Sequence, residues 1–252
     1  MATVILVRHA RSTANGSGVL AGRSPGVGLD DAGTEQAAAL VGRLAKLPLA
    51  AVLTSPLQRC RDTLAPLLAE RGLAATVDER LAEVDYGSWT GRELKDLVKE
   101  PLWRVVQQHP SAAVFPDGEG LATVQARAVA AIREHDARIG AEHGAESVWL
   151  ACSHGDVIKA VLADALGTHL DGFQRIVVDP CSLSVVRYTE TRPFVLRIND
   201  RGGDLADVVP PKPKDGESSS DAVVGGSTGN SAGAAGNPAP GGAGGRAAGR
   251  GD

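Results

Sequence analysis

Residues 3–9 read Thr-Val-Ile-Leu-Val-Arg-His, a short apolar run that ends in an arginine and a histidine. Such a β-branched run is typical of a strand that is buried on both faces of a sheet. Two further runs of this type lie at residues 51–54 and 148–152. Segments with apolar residues at helical spacing separate the three runs. This alternation predicts a mainly parallel sheet, because parallel neighbours need crossover connections.

The predicted fold class is therefore α/β, a three-layer α/β/α sandwich with helices on both faces of a mostly parallel central sheet. Two β-branched runs near residues 183–188 and 194–198 predict an antiparallel hairpin at the sheet edge. Asp30 or Asp31 is expected to cap the helix that follows the first strand. The pattern Thr90-Gly-Arg-Glu93 predicts a capping box that opens a later helix.

The composition divides the chain of 252 residues into two parts. Residues 1–205 carry all the strand and helix patterns and are predicted to form one domain. Residues 206–252 are rich in Gly, Pro, Ala and Ser and contain no hydrophobic residue larger than valine. Such a segment buries too little apolar surface to offset the entropy of ordering it. We therefore predict a disordered tail over 206–252.

Charge and cysteine content argue against several classes of protein. The formal net charge of −4 offers no basic surface for nucleic acid. Three cysteines without a Cys-x-x-Cys pair favour neither a disulfide framework nor a zinc knuckle. The apolar runs are shorter than the roughly 18 residues that a membrane helix needs, and the N-terminus lacks the features of a targeting signal. A cytoplasmic protein with no membrane partner is expected, and a homodimer is compatible with the sequence.

Polar residues follow each of the three predicted buried strands. These residues are Arg8-His9, Ser55 with Arg59 one turn later, and Ser153-His154-Gly155. Sheets of this class bind ligands beyond the carboxyl ends of their strands, so two histidines and two arginines are expected at one rim. The guanidinium fork matches phosphate oxygens, and a histidine held neutral by nearby positive charge and burial can attack phosphorus. The rim thus predicts a site for a phosphorylated substrate.

Four motifs in these regions resemble those of a known family. The segment Leu6-Val-Arg-His-Ala-Arg-Ser-Thr-Ala-Asn15 is similar to the Arg-His-Gly motif of the histidine phosphatase (phosphoglycerate mutase-like) superfamily. Residues 55–63, 83–91 and 153–155 resemble the second, third and fourth motifs of that family, in the same order. The resemblance implies a phosphoglycerate mutase-like sandwich and a phosphomonoesterase that acts through a phosphohistidine.

The resemblance also implies a role for each matching residue. His9 would be the phosphorylated nucleophile, Glu83 the proton donor and then the base, and His154 a donor to the phosphoryl group. The residues implied to bind phosphate are Arg8, Asn15, Arg59 and Gly155, and those placed at the substrate pocket are Gly22, Arg23 and Glu119. No metal and no cofactor is expected, since the arginines already neutralise the phosphate. The expected partner is a small phosphorylated metabolite.

Three positions depart from the family pattern. Ala10 replaces the usual glycine, Arg11 stands where an acidic residue is common, and Gly120 replaces the usual serine of a Gly-Glu-Ser segment. The first two are expected to make the loop after the nucleophile less permissive and its rim more positive. The third weakens any role for a hydroxyl beside Glu119.

Other functions are consistent with parts of the same pattern. A metal site of His9, His154 and either Asp85 or Glu83 is disfavoured, because the adjacent arginines would repel a cation. A cysteine phosphatase would need an arginine six residues beyond its cysteine, and only Cys181 meets this, at the start of a predicted edge strand.

Two alternatives are more similar to the phosphatase hypothesis. A phosphoglycerate mutase-type phosphomutase is disfavoured because the segment between Glu83 and Glu119 has only single basic residues and no Arg-Arg pair. These basic residues are Arg92, Lys95, Lys99 and Arg104. A catalytically silent scaffold that binds a phosphorylated ligand is the remaining alternative, although all the matching catalytic positions are occupied.

Overall fold

One sheet of six strands organises the computed structural model, which describes residues 1–203 and 224–225. The strands are β1 (Thr3–Arg8), β2 (Leu49–Thr54), β3 (Thr76–Val77), β4 (Val148–Ser153), β5 (Leu183–Arg187) and β6 (Phe194–Asp200). Their order is β3-β2-β4-β1-β5-β6. The first four in this order are parallel, whereas β5 and β6 are antiparallel to their neighbours. This confirms the mostly parallel sheet and the antiparallel hairpin at its edge.

Helices cover both faces of the sheet and complete a three-layer sandwich. They are α1 (Thr13–Ser17), α2 (Asp31–Leu44), α3 (Gln58–Arg71), α4 (Leu94–Leu97), α5 (Pro101–Gln108), α6 (Leu121–His143) and α7 (Gly155–Ala165). Helices α2 and α3 pack together over one face, and α6 and α7 pack together over the other. Short 3-10 turns at Glu79–Leu81, Gly87–Trp89, Pro110–Ala112 and Leu170–Arg175 join some of these elements.

The side chains of β1 show why the sheet is buried on both sides. Val4 and Leu6 belong to the core cluster that contains α6 and α7 residues. Ile5 and Val7 belong to the cluster formed with α2 and α3. All four side chains are buried, as the strand period of two requires when helices cover both faces. The uninterrupted apolar run at residues 4–7 therefore forms a central strand of the sheet.

The two predicted helix starts have different outcomes. Asp30 caps α2 by accepting a hydrogen bond from the backbone N–H of Gly33 at 2.8 Å, as expected. The capping box at Thr90 and Glu93 is wrong, because Thr90 ends a 3-10 turn and α4 begins only at Leu94 with no side-chain cap. The backbone N–H of Thr90 is bonded instead to the carbonyl of Gly87 within that turn. The 3-10 turn thus uses the backbone N–H of Thr90 that the predicted capping box would have bonded to Glu93.

The predicted disordered tail, residues 206–252, lies outside the described residues except for Val224 and Gly225. These two residues pack against the domain, with Val224 buried in the same core cluster as Leu20 and Tyr86. The boundary at 205 and the disorder of the tail stay predictions.

Candidate active site

The predicted site residues follow three strands that are neighbours in the sheet. Strand β4 lies between β2 and β1, and all three are parallel. His9 therefore leaves β1 beside His154, which leaves β4, and Ser55 leaves β2 on the other side of His154. The His9 and His154 ring centroids are 5.2 Å apart. The sheet topology thus brings together residues that are 145 positions apart in the sequence, from 9 to 154.

The ring of His9 is held in one orientation by its own loop. Its Nδ1 lies 2.7 Å from the carbonyl oxygen of Ala10. Because a carbonyl only accepts, Nδ1 carries the proton and the lone pair lies on Nε2. The loop is fixed in turn by Thr63 on α3, whose hydroxyl accepts the N–H of Ala10 at 2.8 Å and donates to the carbonyl of Arg59 at 2.6 Å. The side chain of His9 is thereby set up as a nucleophile.

The second histidine sits between a guanidinium and a hydroxyl. Arg59 Nη2 lies 3.1 Å from His154 Nδ1, and Ser55 Oγ lies 2.7 Å from His154 Nε2. Since a guanidinium only donates, Nδ1 is the acceptor in this arrangement and Nε2–H donates to Ser55. His154 is fully buried, so these two contacts replace its hydration.

Both histidines are held neutral by the same physical causes. Burial is the largest of these, and it lowers the pKa of His9 and of His154 well below the ordinary value for histidine. The positive charges of Arg59 and Arg8 lower both pKa values further. The sequence predicted this depression for a histidine in an arginine-lined site. A neutral His9 keeps its Nε2 lone pair available near neutral pH.

Glu83 lies beside Arg59 and His154 and completes the group. One carboxylate oxygen, Oε1, accepts the backbone N–H of Val84 at 2.9 Å. The other, Oε2, lies 4.0 Å from Arg59 Nη2 and 3.8 Å from His154 Nδ1. Burial, with the nearby Asp156 carboxylate second, raises the pKa of Glu83 to about 7 against the opposing effect of Arg59. A carboxyl group with this pKa can both give and take a proton near neutrality.

His9, Arg59 and Glu83 line one small cavity that is partly open to solvent. Its polar lining residues include His9, Asn15, Arg59 and Glu83. Its apolar lining residues are Ala14, Val19, Leu20, Ala21, Leu94 and Val224. The cavity therefore offers charged groups suited to a phosphoryl group and apolar side chains against which a substituent can pack.

Arg8 lies behind this cavity and does not line it. Its guanidinium is fully buried and donates from Nη1 to the carbonyl of Val178 at 2.7 Å and from Nη2 to the carbonyl of Gly225 at 3.3 Å. Its Nε is buried without a hydrogen-bond partner in the described part of the chain. A buried donor without a partner is costly.

The other predicted residues occupy several positions around the cavity. Gly22 lines it in a left-handed conformation (φ +50°) and accepts from Arg59 Nη2 at 2.9 Å. Arg23 and Glu119 lie at the outer edge, joined by an ion pair of 2.8 Å. Arg23 also donates to the backbone carbonyl of Glu83 at 2.8 Å, so this pair supports the Glu83 backbone.

Two predicted phosphate-binding residues are engaged within their own elements. The carbonyl oxygen of the Asn15 side chain accepts the N–H and the hydroxyl of Ser12, at 3.0 and 2.8 Å, at the start of α1. Its amide nitrogen is the group that could reach a ligand, since Asn15 lines the cavity. Gly155 is the first residue of α7, directly after His154, and is buried outside the lining.

Sequence reasoning gave no role to four residues that contact this group: Ser55, Thr63, Tyr86 and Asp156. Asp156 is fully buried, accepts the Tyr86 hydroxyl at 2.9 Å and lies 3.6 Å from Lys159 Nζ. Its position two residues after His154, in the first turn of α7, was the available signal. The helix dipole alone favours an acidic side chain in the first turn of a helix. The sequence therefore could not show whether Asp156 only stabilises α7 or also acts on the site.

Neither a metal cluster nor a membrane-spanning helix is present among the described residues. Within residues 1–203 and 224–225, no three His, Cys, Asp or Glu side chains are grouped closely enough to hold a metal ion. Over the same residues, no helix combines the length and the apolar character needed to cross a membrane. The three cysteines are buried and unpaired.

Comparison with known proteins agrees with the motifs. The model of the histidine phosphatase superfamily (branch 1) matches residues 4–201. Phosphoserine phosphatase 1 of Hydrogenobacter thermophilus is 29% identical over 205 residues, covering 79% of this chain and 92% of the relative. The probable phosphoglycerate mutase GpmB of Yersinia enterocolitica is 30% identical over 193 residues, covering 76% of this chain and 87% of the relative.

A solved structure extends the similarity to the fold. The alpha-ribazole phosphatase of Shigella flexneri superimposes with a TM-score of 0.69 and 25% sequence identity, covering 80% of this chain and 99% of that structure. The relatives carry the names of phosphatases with different substrates and of one mutase. Together the comparisons support a phosphatase or phosphomutase.

Proposed function

Because the chain belongs to the histidine phosphatase superfamily (branch 1), we propose that it hydrolyses small organic phosphate monoesters through a phosphohistidine on His9. No metal ion is needed in this proposal, since Arg59, with Arg8 behind it, supplies the positive charge that a phosphoryl group requires. The relatives named phosphoserine phosphatase and alpha-ribazole phosphatase support hydrolysis but have different substrates.

The observation that carries the proposal is the orientation of His9. Its Nδ1–H is bonded to the Ala10 carbonyl at 2.7 Å, which leaves the Nε2 lone pair as its reactive position. Arg59 and Glu83 line the same cavity as His9, with their charged atoms 4.0 Å apart. A nucleophile, a cation and a proton donor thus line one cavity, the arrangement that nucleophilic catalysis requires.

In the first step, His9 Nε2 forms a bond to phosphorus while the bond from phosphorus to the ester oxygen breaks. Arg59 stabilises the charge on the phosphoryl oxygens during this transfer. Glu83, protonated below its pKa of about 7, gives its proton to the departing oxygen. The products of this step are the free alcohol and phosphohistidine.

In the second step, water replaces the alcohol. Glu83, now a carboxylate, takes a proton from the water as its oxygen bonds to phosphorus, and the bond from phosphorus to Nε2 breaks. His154 contacts Arg59 at 3.1 Å, so it positions the guanidinium that binds the phosphoryl oxygens. Inorganic phosphate leaves, and His9 and protonated Glu83 are restored.

The basic residues between Glu83 and Glu119 favour hydrolysis over a mutase reaction. A mutase must also hold a second anionic group of its substrate. Arg92, Lys95 and Lys99 are instead paired with local carboxylates at 2.5–2.9 Å, and none of them lines the cavity. Arg104 donates to Gln108 on its own helix. These four side chains thus form contacts with residues near them in the sequence, in α4, in α5 and in the segments next to these helices.

An activity profile in the presence of a chelator tests this function. We expect turnover of p-nitrophenyl phosphate and of at least one class among sugar phosphates, phosphoglycerates, nucleotides and phosphopeptides. With a bisphosphoglycerate primer, 3-phosphoglycerate should be hydrolysed faster than it is converted to its 2-isomer. Faster isomerisation would establish the mutase alternative, and phosphate binding without turnover of any substrate would establish the silent scaffold.

The pH profile of kcat/KM is expected to depend on Asp156. The first step needs protonated Glu83, so kcat/KM should fall as the pH rises through about 7. The Asp156 charge disfavours a second anion beside it, whereas Arg59 and Arg8 favour one. Asp156→Asn removes the repulsion, lowers the pKa of Glu83 and should move the alkaline limb of the profile to lower pH.

The control for this profile is Asp164→Asn on the same helix. Asp164 forms an ion pair with Arg133 at 2.8 Å on the outside of α7, and its substitution should leave the alkaline limb in place. A limb that stays in place or moves to higher pH in Asp156→Asn would refute the role of Asp156. The measurement is the initial rate at low substrate concentration across the pH range in which both variants remain folded.

A further inference from the structure

Two residues from the far end of the chain lie inside the candidate active site. Val224 and Gly225 line the cavity together with His9, Arg59 and Glu83. The side chain of Val224 is only 1% exposed. Residues 204–223 join this pair covalently to the end of β6 and its following turn. Part of the cavity lining is therefore supplied by a segment that is remote in the sequence.

The backbone N–H and the carbonyl of Gly225 are each bound by a charged side chain. Its N–H donates to Asp156 Oδ2 at 2.9 Å, and its carbonyl accepts from Arg8 Nη2 at 3.3 Å. Asp156 and Arg8 are both fully buried. Hydrogen bonds to charged groups are stronger than neutral ones, particularly when water is excluded. Asp156 and Arg8 thus satisfy both the backbone donor and the backbone acceptor of Gly225.

The conformation at Gly225 restricts which residue can occupy this position. Its φ is +83°, a left-handed conformation that residues with a Cβ rarely adopt. A Cβ on Gly225 would also lie 3.3 Å from Leu20 Cδ1. A valine followed by a glycine fits this place, because the valine adds to the apolar lining and the glycine allows its backbone to reach Asp156 and Arg8.

We propose that Arg8, Asp156, Tyr86 and Leu20 form a peptide-binding subsite, and that Val224–Gly225 occupies it as an internal competitor of the substrate. The proposal rests on the phosphatase function proposed above, in which Arg8 adds positive charge behind the phosphoryl group. The Gly225 carbonyl takes a donor of Arg8, and Val224 fills space that a substituent of the substrate would use. Substrate and segment therefore exclude each other.

Covalent attachment explains how two residues can compete. A tethered group has an effective concentration in the millimolar range when its linker spans the distance, so a weak contact suffices for occupancy. The apparent affinity for substrate is then reduced by the fraction of molecules with an open site. A variant that empties the subsite should raise kcat/KM by that factor, about 3- to 30-fold, mainly through a lower KM.

Val224→Asp in the full chain tests the proposal, because a carboxylate at this buried position is costly and is also repelled by the Asp156 carboxylate next to Gly225. The control is Val77→Asp, which adds the same charge at a valine that is 49% exposed on the edge strand β3. With p-nitrophenyl phosphate, kcat/KM should rise in Val224→Asp and stay unchanged in Val77→Asp. An unchanged or lower kcat/KM in Val224→Asp would overturn the proposal, a lower value indicating that the segment assists substrate binding.

A second measurement does not depend on turnover. A synthetic peptide of residues 220–229 should bind the Val224→Asp protein in calorimetry, and inorganic phosphate should weaken that binding. The same peptide with Gly225→Val should not bind. If the peptide binds but no substrate is hydrolysed, the subsite stands and the phosphatase function fails. If substrates are hydrolysed but the peptide does not bind, the function stands and the subsite is refuted.

Discussion

Replacing His9 with alanine is expected to lower kcat for every phosphomonoester by at least about 10⁴-fold, the usual scale for loss of a covalent nucleophile. The reason is that Nε2 of His9 is the atom that accepts the phosphoryl group, and His154 cannot replace it. In the described structure His154 is fixed by Ser55 and Arg59, with its ring centroid 5.2 Å from that of His9. Steady-state assays with p-nitrophenyl phosphate measure the loss.

Two further measurements make this result specific. Brief mixing with ³²P-labelled substrate and a denaturing quench should trap an acid-labile phosphoprotein from the natural chain and none from His9→Ala. His143→Ala, at the half-exposed end of α6, is the matched control and should keep full activity and labelling. Thermal unfolding should show that both variants remain folded. Retained turnover in a folded His9→Ala protein would exclude His9 as the nucleophile.

Glu83→Gln is expected to affect substrates unequally, according to their leaving groups. For an alkyl phosphate, whose alkoxide needs a proton, kcat/KM should fall by about 10²- to 10⁴-fold, the typical contribution of general acid catalysis. For p-nitrophenyl phosphate the loss in kcat/KM should be much smaller, because p-nitrophenolate is a stable anion and leaves unprotonated. Glutamine keeps the size of the side chain, so the comparison isolates the proton.

The second step gives Glu83→Gln a kinetic signature of its own. Without a base to activate water, hydrolysis of phosphohistidine becomes slow, so p-nitrophenol should appear in a burst followed by a slow steady rate. Glu79→Gln, an exposed residue in the preceding 3-10 turn, is the control and should show neither effect. Equal losses for alkyl and aryl substrates, with no burst, would contradict a proton-transfer role for Glu83.

The placement of His9, His154 and Arg59 could be predicted because it depends on strand order and strand ends. Each of these residues follows a short apolar run, and each run is a central strand in the structure. The two-residue strand β3 gave no such signal, since both its residues are exposed and too few to show periodicity. The same limitation explains the misplaced helix start at Thr90, where four residues fit a capping box and a 3-10 turn equally well.

The sequence by itself determined the sandwich, the edge hairpin and the residues at the carboxyl ends of the strands, because these follow from local patterns of burial and from matching motifs. Only the tertiary structure decided the Nδ1 proton of His9, the raised pKa of Glu83 beside Asp156, and the presence of Val224–Gly225 in the cavity. The physical reason is that these features arise from burial and from charges brought close by folding. Neither is encoded in the spacing of residues along the chain.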